Sequence, residues 1–216
     1  MIDIRRVRVD LDGVKAAMAR RHDPQLLGDL DEVARLDTES RRSDAPPERY
    51  VFLPGTSPIP AATAPNLSNR PHRIEAQVRI PEGGAEGVLV AFGSRFGGWS
   101  LYVHQRRLVY VHNYLKLEEG RLVSDREVPA GSVTLGLRFM PAKPGLGTVE
   151  LSIDGNPAGR LDGVKTARLG YLGDEGLQVG RNDASPVASD YDSPFAFTGT
   201  IEQVVLELTS DANPTP

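Results

Sequence analysis

From residue 72 onward, apolar and polar positions alternate with a period of two. Residues 72–80 put Ile74, Ala76, Val78 and Ile80 on one face and Arg73, Glu75, Gln77 and Arg79 on the other, as in a strand with one buried and one solvated side. The stretch 87–115, GVLVAFGSRFGGWSLYVHQRRLVYVHNYL, holds three runs of β-branched and aromatic residues at 87–93, 99–104 and 107–115. A Gly-rich bend at 94–98 and a tight turn at Gln105-Arg106 divide them, so the stretch predicts a meander of three strands. Residues 121–128 are a weaker strand candidate, and 133–139 alternates cleanly. Residues 141–147 read as a turn cluster, and 148–153 with 158–161 as a hairpin about Asp154-Gly155. Residues 164–174 carry no clear pattern, 177–179 is a short strand, 181–194 a polar loop, and 195–208 the closing strand. Turn signals recur at roughly 8–15-residue intervals, with neither βαβ alternation nor an internal repeat. The predicted class is mainly β: a two-sheet antiparallel β-sandwich, jelly-roll or concanavalin A-like.

Upstream the period changes. Asp10 or Asp12 can cap a helix through 14–21, and Asp23-Pro24 starts a second, with Leu26, Leu27, Leu30, Val33 and Ala34 on one face. Residues 1–37 are thus a short helical lead, whose apolar face needs either the β domain or a partner to cover it. Residues 38–71, charged and then rich in proline, read as a linker containing one brief apolar run at 50–53. The β-sandwich domain spans 72–208, and 209–216 is predicted to be a disordered tail.

Composition narrows the chemistry. The 216 residues include no cysteine, which removes disulfides, thiolate metal sites and a Cys nucleophile. A net charge of −4 gives no electrostatic ground for nucleic acid, and no apolar run approaches the roughly 20 residues of a membrane span. With no signal-peptide pattern at the start, the expected location is cytoplasmic. The four histidines are scattered, and Asp174, Glu175, Asp183, Asp190 and Asp192 lack the spacing of a calcium loop, so no metal ligand is assigned. No carboxylate pair sits at glycosidase spacing on one strand face, and the Gly-Gly pairs are not followed by a phosphate-loop Lys-Ser/Thr. No catalytic residue and no cofactor are assigned. Trp99, beside Leu101 and Val103, reads as core, and Tyr102 as the outward ring. The ligand-binding candidates are Arg95, Tyr102, His104, Tyr110, His112 and Tyr114, whose rings and cations can stack on a sugar face or an aryl group.

Several stretches occur in the order and spacing of the C-terminal domain of large bacterial arylsulfatases: NRPHRIEAQVRIPEGGAEGVLVAFGSRFGGWSLYV (69–103), RLVYVHNYLKLE (107–118), TVELSIDGNPAGR (148–160), LQVGRNDASPVASDY (177–191) and PFAFTGTIEQVVLEL (194–208). The region resembles that domain over roughly two-thirds of the chain. ARRHDPQLLGDLDEVAR (19–35) resembles the helical tail of the same enzymes' catalytic domain, apart from the Asp23 inserted between His22 and Pro24. The relatives carry Asp-Gly where this chain has Gln105-Arg106. A two-residue type I′ turn needs positive φ at both positions, which Arg resists, so the substitution predicts a longer turn that draws in Arg107 and shifts the pairing of Tyr110 and His112.

The resemblance implies sulfate-ester chemistry by a formylglycine beside a divalent cation, but the chain has neither a C/S-x-P-x-R motif nor an Asp-Asp metal motif. The expectation is therefore a non-catalytic module with a structural or substrate-positioning role beside a sulfatase catalytic core, either cut from a longer enzyme or independent. A stand-alone lectin-like carbohydrate-binding module is the second expectation. The third is an interaction protein that uses the apolar helix face for a separate partner chain or for self-association.

Overall fold

The computed structural model describes residues 10–19, 30–32, 34–35, 48–167 and 175–208. The chain divides into two compact units, Met1–Pro47 and Glu48–Pro216. In the first, helix α1 (Leu11–Ala19) is capped by Asp10, whose carboxylate accepts the Gly13 N–H at 2.8 Å. Residues 30–32 and 34–35 are helical, Leu30 is buried, and Lys15 is ion-paired to Asp31. The rest of the predicted second helix, the segment 168–174 and the tail after 208 lie outside the described residues.

The second unit is the predicted sandwich. Its strands are β1 (Arg49–Phe52), β2 (His72–Ile80), β3 (Gly87–Ser94), β4 (Gly97–His104), β5 (Arg107–Tyr114), β6 (Glu118–Glu127), β7 (Gly131–Lys143), β8 (Leu146–Ile153), β9 (Asn156–Lys165), β10 (Leu177–Val179) and β11 (Thr200–Leu208). They form an antiparallel six-stranded sheet, β1-β11-β2-β7-β8-β9, facing a five-stranded sheet, β10-β3-β4-β5-β6. Ile74, Val78, Leu137, Phe139, Leu151 and Leu206 of the first meet Leu89, Trp99, Leu101, Val103, Leu108 and Tyr110 of the second in one core. Trp99 is in that core, as its alternation with Leu101 and Val103 predicts.

The two sheets differ on their other faces. The six-stranded sheet is polar outside: Arg49 and Arg73 pair with Glu207 at 2.9 and 3.5 Å, and Gln203 bonds Gln77 at 3.0 Å. The central strands β3–β5 of the five-stranded sheet are largely apolar on both faces. Val88, Ala91, Tyr102, Val109 and Val111 are turned away from the inter-sheet core and packed under Val187, Ala188, Tyr191 and Phe195. Residues 180–199, which include the expected polar loop at 181–194, are therefore a strap over the sheet. A bulge between Val88 and Val90 lets Leu89 and Val90 both enter the inner core while Val88 and Ala91 face the strap. At Gly87 (φ 112°) the strap comes so near that a Cβ would lie 2.1 Å from the Ala196 carbonyl oxygen, which only glycine permits.

Other expectations shift at the edges. Residues 48–71 do not behave as a linker. Strand β1 pairs with β11, Ile59 bridges Leu177 on the outer side of β10, and Leu67 enters the core. The 141–147 turn shrinks, because β7 runs on to Lys143 and pairs with β8 from Leu146. The closing strand begins at Thr200 rather than 195, because Phe195 belongs to the strap. The edge strand β9 carries two register breaks against β8, and Arg126 of β6 donates to the carbonyls of Pro157 and Asn156 at 2.7 and 3.0 Å.

The longer turn at Gln105-Arg106 is not formed. His104 pairs with Arg107, and Gln105 (φ 49°) and Arg106 (φ 62°) occupy both central positions of a two-residue turn. The Arg106 carbonyl accepts the Val128 N–H at 2.7 Å, and its side chain reaches Glu127 at 3.0 Å, contacts that hold it in the left-handed region. Regular pairing of β4 with β5 then leaves Tyr110 and His112 on the same face, 2.7 Å apart. Left-handed backbone costs a non-glycine residue roughly 1–2 kcal/mol. The double substitution Gln105→Asn with Arg106→Gly should therefore raise stability by about 1 kcal/mol, read as a higher urea midpoint at unchanged slope.

Candidate functional site

Three connections meet at one end of the five-stranded sheet: the Arg95-Phe96 bend between β3 and β4, the 115–117 loop between β5 and β6, and the strap. Between them lies an open cleft of about 700 Å³ lined by Arg95, Asn113, Lys116, Leu117, Glu118, Glu119 and strap residues including Val187, Ser189, Asp192 and Ser193. Among its lining residues is Asn113, a polar residue buried in β5 beside His112. Its amide nitrogen donates to the carbonyls of Arg95 (3.1 Å) and Val187 (3.0 Å), and its oxygen accepts the Lys116 N–H (2.9 Å). One side chain thus ties all three walls together.

Each wall has its own support. Gly93 and Gly98, paired across the bend, approach so closely that a Cβ on Gly98 would lie 2.0 Å from the Phe92 carbonyl oxygen. The Arg95 N–H donates to Ser185 Oγ at 3.2 Å, and the Ser185 hydroxyl and N–H donate to Glu175 at 3.0 and 3.1 Å. In the 115–117 loop, Leu115 (φ 53°) and Lys116 (φ 58°) both sit in the left-handed region. Lys116 Nζ lies 5.9 Å over the centre of the exposed Phe96 ring, and Leu117 is 79% exposed. Within the strap, the fully buried Asn182 accepts from the Val187 N–H (3.1 Å) and the Tyr191 hydroxyl (2.9 Å), while its own amide nitrogen has no partner.

Charges clasp the strap to the sheet. Arg121 of β6 is ion-paired to Asp190 and Glu119, Glu119 accepts from the Ser189 N–H and hydroxyl at 3.0 Å each, and the Tyr102 hydroxyl donates to Asp190 at 2.6 Å. Burial raises the Tyr102 pKa and its bond to the Asp190 carboxylate raises it further, so the phenol stays neutral and donates. Burial opposes the Arg121 charge, but hydrogen bonds to Asp190 and Glu119 outweigh it. Burial also pushes Tyr191 up to about 12. Elsewhere, Lys165 meets Glu118 at 2.5 Å. The unmatched charges lining the cleft among the described residues are Arg95, Lys116 and Asp192.

The six candidates are scattered by this geometry. Arg95 lines the cleft, and Tyr114, half-buried, ends β5 just before the 115–117 loop. His104 sits at the far end of β4, 3.1 Å from Glu86. Tyr102 does point away from the inter-sheet core, but the strap covers it completely. Tyr110 and His112 are buried together inside, where the Tyr110 hydroxyl meets His112 Nδ1. Phe96, Asn113, Lys116, Asp192 and Ser193 were not singled out by the sequence. Asn113, a carboxamide within the β-branched and aromatic run 107–115, was the one with a readable signal. No group of three or more His, Asp and Glu able to hold a metal occurs among the described residues. Asp183 pairs with Arg181 at 2.9 Å, and Asp174 lies outside the described residues.

No protein-family model and no curated protein matches the chain. Among solved structures it is similar to the CBM40 module of a Ruminococcus gnavus IT-sialidase bound to α2,3 sialyllactose: 16% identity, 76% of this chain, 92% of that one, TM-score 0.51. It is also similar to domains LG4-5 of the mouse laminin α1 chain (13% identity, 79% and 45% covered, TM-score 0.45) and to the Caenorhabditis elegans galectin LEC-6 (8%, 74% and 95%, 0.40). The first likeness is one of fold, a β-sandwich of antiparallel sheets.

Two outcomes test this geometry. Asn113→Ala removes three hydrogen bonds, one buried and two partly buried, so it should cost about 2–3 kcal/mol and speed hydrogen exchange at the Lys116 amide. The second concerns pH. His72, stacked on Phe139 with Nδ1 donating to the Arg70 carbonyl, is pushed down to about 4 by burial. His112 is pushed down to about 3 by burial and then by the charge of His72. Both folded-state values lie below the unfolded one, so stability is full above about pH 6.5 and falls as pH drops toward 4. Each histidine should cost about 2 kcal/mol between pH 7 and pH 5. His112→Phe should flatten the pH dependence of urea unfolding by that amount, and an unchanged slope would remove His112 from the explanation.

Proposed function

We propose that this chain is a non-catalytic β-sandwich module of the arylsulfatase C-terminal type, which packs beside a sulfatase catalytic core and helps to position its ligand. The observation that carries the reading is where the resembling stretches fall. Residues 69–103 and 107–118 hold β2 to β5, 148–160 hold the β8–β9 hairpin, and 177–191 with 194–208 hold β10, the strap and β11. The resemblance thus follows the framework of the sandwich and its cover, the parts that define a module. The reading assigns no catalytic residue, because the chain has no cysteine and no C/S-x-P-x-R motif from which a formylglycine could be made.

A second reading, a stand-alone carbohydrate-binding module, is favoured by the fold shared with the CBM40 module, a protein seen bound to sialyllactose. The two differ in what they require of a partner. Mixed with an arylsulfatase catalytic domain truncated before its own C-terminal sandwich, the full chain should form a complex and raise the melting temperature of that domain. No association with such a core would leave the stand-alone reading. The pure chain should release no phenol from an aryl sulfate; release that is abolished by a substitution in this chain would overturn both.

A further inference from the structure

We propose that the cleft between the Arg95-Phe96 bend, the 115–117 loop and the strap is a binding site for a singly charged acidic carbohydrate. This deepens the ligand-positioning part of the function proposed above and rests on it.

The argument begins with charge. Of the ionised groups lining the cleft, Glu118 is paired with Lys165, and Glu119 shares Arg121 with Asp190. Arg95 and Lys116 remain as two cations, with Asp192 as one carboxylate. On a chain whose total charge is −4, the cleft therefore offers two cations that no carboxylate among the described residues engages. A guanidinium and an ammonium together suit a carboxylate or sulfate group. A carboxylate in the same cleft repels a second negative charge and instead accepts hydrogen bonds from hydroxyls. Polyphosphates and nucleic acid are poor matches for that set, whereas a sugar bearing one acidic group supplies both the anion and the hydroxyls.

Shape and rigidity agree. About 700 Å³ is within the usual range for small-ligand sites. Leu117 gives the cleft an exposed apolar surface, and the exposed Phe96 ring lies 5.9 Å from Lys116 Nζ. The Ser193 hydroxyl oxygen is buried and without a partner, so an unused polar atom belongs to a residue of the lining. Leu115 and Lys116 are held in left-handed backbone although glycine or asparagine would sit there at lower cost, and the Asn113 amide maintains them. Strain kept on a loop that carries one of the two cations is understandable if the position of that cation matters. Asn113 fixes the three walls before any ligand arrives, which lowers the entropy lost on binding.

The test is calorimetric titration of the full chain with a glucuronate-terminated disaccharide, a monosulfated lactose, lactose itself and inorganic sulfate. At least one acidic sugar should bind about tenfold or more tightly than lactose or sulfate alone, and more weakly as salt rises. The preferred sugar distinguishes a carboxylate from a sulfate ligand. Arg95→Ala and Lys116→Ala should each weaken that binding about tenfold with unchanged melting temperature, since both side chains are exposed. Arg79→Ala, on the outer face of the other sheet, should leave it unchanged. No binding at millimolar sugar, equal binding of lactose, or indifference to both cleft substitutions would overturn the proposal. Any of these with the sulfatase-core complex intact would leave the module reading standing.

Discussion

The central strands of the five-stranded sheet are largely apolar on both faces, and that constraint shapes everything around it. A sheet buried on one side alternates; here β4 and β5 are buried almost from end to end. One face is satisfied by the six-stranded sheet. The other would leave Val88, Tyr102, Val109 and Val111 against water, at about 1.5–3 kcal/mol for each large side chain. The strap answers this with Val187, Tyr191 and Phe195, and the two Tyr rings meet edge to face at 5.0 Å. A connection that would otherwise be a surface loop becomes part of a second core, and its outer edge becomes a wall of the cleft.

A strap held by apolar contact alone could slide. Polar groups give it register. Arg121 receives Asp190 and Glu119, Tyr102 and Ser100 of β4 meet Asp190 and Tyr191 from below, and Asn182 holds Tyr191 from within the strap. Ion pairs of this kind, about three-quarters buried, add little net energy but penalise every alternative seating that would leave one charge unmatched. Asn113 does the same work at the cleft. Stability and site geometry are therefore linked: the groups that fasten the cover are those that set the distances between the cleft walls.

How much of this was legible in the sequence follows from how local each signal is. The alternation of 72–80 and the turn at Asp154-Gly155 are written in neighbouring residues, and both appear as read: β2 alternates, and Asp154 and Gly155 adopt φ 51° and 73°. The two-layer class follows from the same local pattern. The strap was not legible, because Val187, Ala188, Tyr191 and Phe195 are spread among Asp, Ser and Pro and become apolar cover only when a distant sheet meets them. Strand β1 was hidden for the same reason, since its pairing partner lies more than 150 residues away. At Gln105-Arg106 the local rule was sound and lost to tertiary context. Among the ligand candidates, aromatic content located the meander but not which rings would be covered. The cleft residues come from three separate connections that no spacing rule joins.

The borders of the two sheets carry a further consequence. Strand β1 has four residues and β10 three, β10 is shielded outside by Ile59, β9 is broken twice in register, and β6 is lined with charge and laced to β9 by Arg126. A sandwich this rich in β-branched residues would be prone to stack border against border into fibrils if it offered one long, straight row of open amides. Short, kinked and occupied margins remove that template. The module can therefore be concentrated, or tethered in high local density beside other domains, without its own strands becoming the glue.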